Sequence, residues 1–416
     1  MSIKLPSLLA PAHEAVSTKF RREADFSSNR CNLSGESTHC VAVPAGTPVA
    51  IGRTLMAFPI APRNDVGASS HSRAVVRALD NEPARAARIV ALGGGTGLPG
   101  VLEGLAQLAA EKGEKDPHAL TGIVTVTDDG GSSGRLRQQL GILPPGDARN
   151  CLLALTEPES QFKQLLQHRL DVGPGVVGHP VGNLLLAALT QQTGDFSRAI
   201  DALGSMIGSR GRVLPSTLDD VRLRAELESG RTIDGETEIV RDPSPVRRLS
   251  LEPSPRPVPE TLAALVNADG IIIGPGSLYT SVLPNLLVEG VAATIHGVNG
   301  VRIYVANLMT EPGETEHYTL DDHLRAIRSH TGFDLFDYIL VNRRPIDAEA
   351  TRLYASRGSE PVVAERLLRH AGGAQVVECD LAVEWGGVKI RHHPRSLGRA
   401  IRALVTAGRP SHHRLG

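Results

Sequence analysis

One stretch constrains the fold more than any other: Arg88–Asp129, RIVALGGGTGLPGVLEGLAQLAAEKGEKDPHALTGIVTVTDD. An apolar run, Ile89–Leu92, gives way to Gly93, Gly94, Gly95, Thr96 and Gly97. Val101, Leu102, Leu105 and Leu108 then recur at helical spacing, and a second apolar run, Ile123–Val126, leads into Asp128 and Asp129. Strand, glycine turn, helix and strand in that order form one unit of a parallel sheet, with its polar chemistry at the carboxyl ends of the strands. Glycine lets a phosphate approach the backbone, and the free N–H groups opening the next helix favour an anion. The paired carboxylates offer hard oxygen atoms to Mg²⁺ or to sugar hydroxyls. The expectation is a phosphate- or nucleotide-binding α/β protein: a Rossmann-like, doubly wound, mostly parallel sheet with a small antiparallel excursion.

Composition removes several other classes. Charged residues make up 21% of the 416 and the formal net charge is −1, so no global field points to nucleic acid or a membrane surface. Aromatic residues at 3% leave few stacking platforms for single strands. Cys31, Cys40, Cys151 and Cys379 show neither CxxC nor metal-ligand spacing, which suits a reducing compartment. No apolar run has the length of a membrane span, and the opening MSIKLPSLLAPAHEA is too weak for a secretory signal. A cytoplasmic protein is expected.

Residues 1–86 lack sustained periodicity and read as a disordered extension; 87–405 read as a single Rossmann-like nucleotide-binding domain, and 406–416 as a loose tail. Within the domain, Gly130–Gly134 (GGSSG) reads as a loop at a strand end, where Ser132 and Ser133 help form a second anion nest. Arg135 and Arg137 follow closely enough to pair with phosphate. Asp147, after Pro144-Pro145-Gly146, is read either as the N-cap of a helix through Leu155 or as a site residue. His179 and Asn183, between Gly178 and Gly182, flank the start of an apolar helix. There the satisfaction of backbone groups weighs about as much as ligand binding. Residues 212–239 alternate like an antiparallel excursion, and 241–258 read as a surface loop. The turn GPGSLYTSVLPNLL (274–287) repeats the opening logic, with Gly274, Gly276 and Ser277 offering free N–H groups and a hydroxyl. In the loop 307–324, Glu314 is a candidate polar contact.

Gly95–Gly100 matches G-x-G-x-x-G, a weak motif strengthened by the strand before it and the helix after it. A nicotinamide-dependent oxidoreductase would use one of the two aspartates for the ribose hydroxyls, but a further glycine turn would be redundant there. Neither a Walker lysine, nor a G-x-S-x-G elbow, nor HExxH is present.

Six motifs in register carry a family resemblance: GGGTGL (93–98), TVTDDGGSSGRLR (125–137), PPGDARN (144–150), GHPVGNL (178–184), GPGSLYTSVLPNLL (274–287) and NLMTEPGET (307–315). They resemble the bacterial gluconeogenesis factors, relatives of 2-phospho-L-lactate transferase. The resemblance implies a UDP-sugar binder (UDP-N-acetylglucosamine), a role in cell shape and in growth on gluconeogenic carbon, and a homodimer. From the transferase branch it implies Mg²⁺ near Asp128 and Asp129. On this chain the implied ligand site comprises the 93–97 turn, Asp128, Asp129, Ser132, Ser133, Arg135, Asp147, Asn150, His179, Asn183, Gly274, Gly276, Ser277 and Tyr279. Departures are Thr127, Pro180–Val181 and Glu311, together with His393, which stands where an Asp is customary and would lose any partner that Asp held.

Overall fold

The computed structural model describes residues 86–114, 116–364, 368–385 and 389–410. The expectations for residues 1–85 and 411–416 lie outside them. Seven parallel strands form the main sheet: β1 (Ile89–Gly93), β2 (Leu120–Val124), β3 (Arg212–Pro215), β7 (Gly270–Ile273), β8 (Val301–Val305), β9 (Tyr338–Asn342) and β10 (Gln375–Cys379). Their order is β10-β9-β8-β7-β1-β2-β3. The central strands IVALG, GIII and VRIYV are buried along their whole length, because helices cover both faces of a parallel sheet. Chain direction decides where the chemistry goes. From β1 the chain winds outward through β2 to β3, then re-enters on the other side of β1 at β7 and winds out again to β10. The point of reversal lies between β1 and β7, and ligands of open α/β sheets bind outside the carboxyl ends of the strands at such a point.

The antiparallel excursion is a separate three-stranded sheet, with β4 (Arg222–Leu227) between β5 (Thr232–Asp234) and β6 (Val246–Glu252). Two expectations are corrected here. Residues 212–215 belong to the main sheet as its edge, where Pro215 sacrifices no interior ladder bond. Residues 246–252 form a strand rather than a surface loop, burying Val246, Leu249 and Leu251.

The helix Gly97–Glu111 buries Leu98, Val101, Leu102 and Leu105 against the sheet. It packs backbone to backbone with the last described helix, Pro394–Ala407: a Cβ on Gly104 would lie 1.9 Å from the Pro394 carbonyl oxygen. His393 caps that last helix, its Nδ1 accepting from the Ser396 N–H at 3.2 Å, so the exchange of Asp for His keeps a capping acceptor. At the opposite rim, the amino ends of β8 and β9, a buried ion triad closes the sheet. Arg302 reaches Asp337 through its own backbone N–H, Nε and a terminal nitrogen at 2.9, 3.0 and 2.8 Å, and Arg409 Nε adds a contact at 3.0 Å.

Candidate functional site

The parallel register sets Leu92 beside Ile273, so the turns that follow β1 and β7 leave the sheet side by side. They touch: a Cβ on Gly97 would fall 2.1 Å from the Pro275 carbonyl oxygen. Gly95 takes φ +59°, which aims successive N–H groups into one concavity. Among the described residues no acceptor serves the Gly94 or Thr96 N–H groups, whereas Gly95 N–H is turned toward the Asp147 carboxylate. The space over Gly94 is bounded by Asp147 Oδ2 and Ser281 Oγ, 2.6 and 3.2 Å from the point a Cβ would occupy.

The second turn does not present the open nest expected of it. Asn307 bridges Gly276, accepting from its N–H at 3.1 Å and donating to its carbonyl at 3.0 Å. Glu314 accepts from the Tyr279 N–H at 3.0 Å and the Thr280 hydroxyl at 2.8 Å, and Glu311 engages the Ser277 hydroxyl. The chain's own carboxylates therefore take the place of an external anion at this helix start. The Tyr279 ring is buried and its hydroxyl meets that of Tyr318 at 2.9 Å. The turn leads into a π-helical stretch, Leu278–Val282, which carries Ser281 back toward the first turn.

The acids divide by partner. Asp129 Oδ1 accepts from the Thr237 N–H and hydroxyl at 2.9 and 2.6 Å and so anchors the short helix Glu236–Arg241 of the excursion. Asp128 Oδ1 accepts from Gly130 N–H at 2.9 Å, leaving Oδ2 toward Gly146. Asp147 is not the N-cap of its helix, Gly146–Ala154; Pro145 holds that position and Asp147 sits in the first turn. Burial, with the charge of Asp128 beside it, pushes the Asp147 carboxyl up to about 6. Burial and the neighbouring carboxylates push Glu236 to about 9 and Glu314 to about 7.

Among the described residues no three His, Cys, Asp or Glu side chains gather as a metal cage. Mg²⁺ does not require one, since it keeps waters and is commonly held by one or two carboxylates plus substrate phosphates. Asp128 and Asp147, neighbours whose charges interact, fit that role by donor chemistry, whereas Asp129 Oδ1 accepts two hydrogen bonds from Thr237. A raised folded-state pKa contributes stability below the unfolded value and loses it as pH climbs through about 6. Asp147→Asn should therefore gain melting temperature over the native protein at pH 8 and little at pH 4.5, while weakening Mg²⁺-dependent ligand binding. Thermal melts at the two pH values, with calorimetry, check both.

Sequence placed GGSSG in a loop, but the helix Gly131–Leu140 begins inside it. Gly134 permits this, because a Cβ there would lie 1.9 Å from the Asp129 carbonyl oxygen. Ser132, His179, Asn183, Arg149 and Asn150 are linked in one chain of hydrogen bonds beneath the rim. Ser132 Oγ meets His179 Nδ1 at 2.7 Å and accepts from Asn183 Nδ2 at 3.0 Å. Arg149 donates to Asn183 Oδ1 at 2.8 Å and Asn150 Oδ1 at 2.6 Å. Desolvation, with the charges of Arg135 and Arg169 nearby, lowers the His179 pKa. Ser133 is buried beside Gly146. Arg135 donates to the Val177 carbonyl at 3.0 Å. Arg137 donates through one terminal nitrogen to Asp220 and the Val221 carbonyl, while its other terminal nitrogen is buried with no partner among the described residues.

A cavity of about 240 Å³ opens past Asn307 at the tips of β8 and β9, lined among others by Leu308, Asn342, Arg344 and Ile346. Sequence reading missed this space together with Ser281, Asn307 and Glu236. Ser281 alone left a trace, lying four residues after Ser277 and hence on one helical face with it.

A sequence profile of the 2-phospho-L-lactate transferase CofD family matches residues 89–382, from the first residue of β1 to the start of β11 (Ala382–Trp385). The chain belongs to the CofD family. Within reach of this family are proteins named gluconeogenesis factor. That of Bacillus subtilis (strain 168) is 44% identical over 319 residues, covering 76% of this chain and 98% of the relative. That of Halalkalibacterium halodurans is 43% identical over 314 residues, covering 75% and 95%. A crystal structure of a UPF0052 family member from Bacillus halodurans superposes with TM-score 0.71 at 43% identity, covering 76% of this chain and 99% of that one. Among the described residues no single helix is long and apolar enough to cross a membrane.

Proposed function

We propose that this protein binds a uridine-diphosphate sugar, UDP-N-acetylglucosamine, and acts as a regulator of cell shape and envelope synthesis needed for growth on gluconeogenic carbon. The carrying observation is the pair of unpartnered N–H groups at Gly94 and Thr96, placed at the reversal point of the sheet beside Asp147, which Asp128 neighbours. The diphosphate would sit on that nest, and the cavity past Asn307 has room for another part of the ligand. Relatives named gluconeogenesis factor support the link to gluconeogenic carbon. The alternative is a Mg²⁺-dependent transferase that cleaves a nucleotide diphosphate donor. The concentration of carboxylates favours a cation in either case, since a bare diphosphate would meet like charge. When bound, Mg²⁺ would neutralise phosphate charge, and Asp128 and Asp147 are the residues that would hold it. A nicotinamide cofactor fits less well, because β2 ends at Val124 and Thr125, not a carboxylate, follows it.

Calorimetry with UDP-N-acetylglucosamine, with and without Mg²⁺, tests the reading. The expected result is saturable binding strengthened by Mg²⁺ and no product after long incubation. Release of a nucleoside monophosphate when an acceptor alcohol is added would move the assignment to the transferase. Binding of NADH but of no uridine nucleotide would end both.

A further inference from the structure

Ser281 is 6% exposed, and no described residue donates to or accepts from its hydroxyl. Around it, the Thr280 hydroxyl donates to Glu314, and Asn285 Nδ2 donates to the carbonyls of Gly93 and Ser281 at 2.9 and 2.8 Å, whereas Asn285 Oδ1 has no partner among the described residues. The side chain is largely enclosed, yet its unpartnered hydroxyl is not fully buried and so opens onto the space over Gly94. The Ser281 hydroxyl oxygen lies 3.2 and 3.5 Å from the points where Cβ atoms on Gly94 and Gly95 would stand. Asp147 Oδ2 approaches the first of those points to 2.6 Å. Three segments remote in sequence thus meet over one glycine, in a space that no side chain at position 94 can enter. The π-helical register at Leu278–Val282 brings the serine there, and insertions of that kind recur at functional sites.

We propose that Ser281 is a ligand-contacting residue: its hydroxyl donates to a phosphate oxygen of a nucleoside diphosphate seated on the Gly93–Gly97 turn. The assignment rests on the nucleotide-binding reading given above. The character of the groups decides for phosphate over cation on this side of the site. Ser281 O–H stands over Gly94, whose N–H has no partner among the described residues, and these donors suit a phosphate oxygen; Asp147, across the same space, with Asp128 beside it, offers the acceptors a cation would use. The hydroxyl would then report on the phosphates rather than on the base.

Calorimetry of the full chain and its Ser281→Ala variant with UDP in Mg²⁺ buffer, beside thermal melts without ligand, tests this. UDP affinity should fall about tenfold, the scale of one lost hydrogen bond to a charged group, while the ligand-free melt stays in place. Unchanged UDP affinity overturns the proposal. So does a ligand-free melt that drops along with affinity, because the hydroxyl would then be structural. If the native protein binds no uridine nucleotide, the uridine reading fails separately and inorganic pyrophosphate becomes the probe. Protection of the native melt that is reduced in Ser281→Ala sustains the assignment; equal protection, or none in either protein, sinks it.

Discussion

Replacing Gly97 with alanine should cost about 3 kcal/mol of stability, at the upper end for overpacking, and should abolish ligand binding with it. The new methyl would stand 2.1 Å from the Pro275 carbonyl oxygen and 2.7 Å from its carbon. Both are backbone atoms, so no rotamer change relieves the contact, and the turns after β1 and β7 would have to part. Those turns hold the space between Asp147 and Ser281, so displacement and loss of the nest are one event. Urea denaturation should show a lowered midpoint, and calorimetry no UDP-sugar heat. Gly100→Ala is the control: its Cβ meets nothing within 4 Å, and it should leave both measurements near native. Equal behaviour of the two variants would show that the turns are not in contact.

Asp337→Ala should destabilise by about 3–5 kcal/mol, the usual loss when one partner leaves a buried pair. Arg302, whose side chain is 3% exposed, would keep its charge with its carboxylate partner gone. The effect carries a pH signature. Burial alone would raise the Asp337 pKa, but the hydrogen bonds from Arg302 and the charges of Arg302 and Arg409 outweigh it and hold the group low. A depressed folded-state pKa contributes stability above the unfolded value, near 3.9, and loses it as pH falls through the folded value. Native stability should thus decline in acid more steeply than that of the variant. Because the triad lies at the rim opposite the glycine turns, UDP-sugar affinity per folded molecule should not change. Denaturant melts from pH 3 to 7 and calorimetry at pH 7 separate the two effects.

The centre of the fold was legible because strands buried on both faces must be apolar throughout. The apolar run Ile89–Leu92 falls within one residue of the observed strand Ile89–Gly93. Edges and excursion were less legible. Val246–Glu252 hides three buried residues among exposed Arg247, Arg248 and Glu252, and pairs with β4 through an irregular register at Glu226/Leu227. In the site, the glycine turns and the acids at the β2 end were visible as motifs. Their division of labour was not. That Glu314 fills the second turn depends on a contact across 35 residues of sequence. That Asp129 anchors Thr237 depends on one across 108. No local pattern encodes either, since each depends on the tertiary packing that brings distant segments together.

The insertion of β7 beside β1 also sets a timetable. As the polypeptide leaves the ribosome, Ile89–Gly93 must wait some 180 residues for the neighbour along one of its flanks. Its helix waits longer still for the backbone of Pro394 to cover Gly104. Sheets closed by such distant partners form slowly. A nascent protein lacking the Pro394–Ala407 helix would therefore leave one side of the Gly97–Glu111 helix uncovered and be a natural client for chaperones.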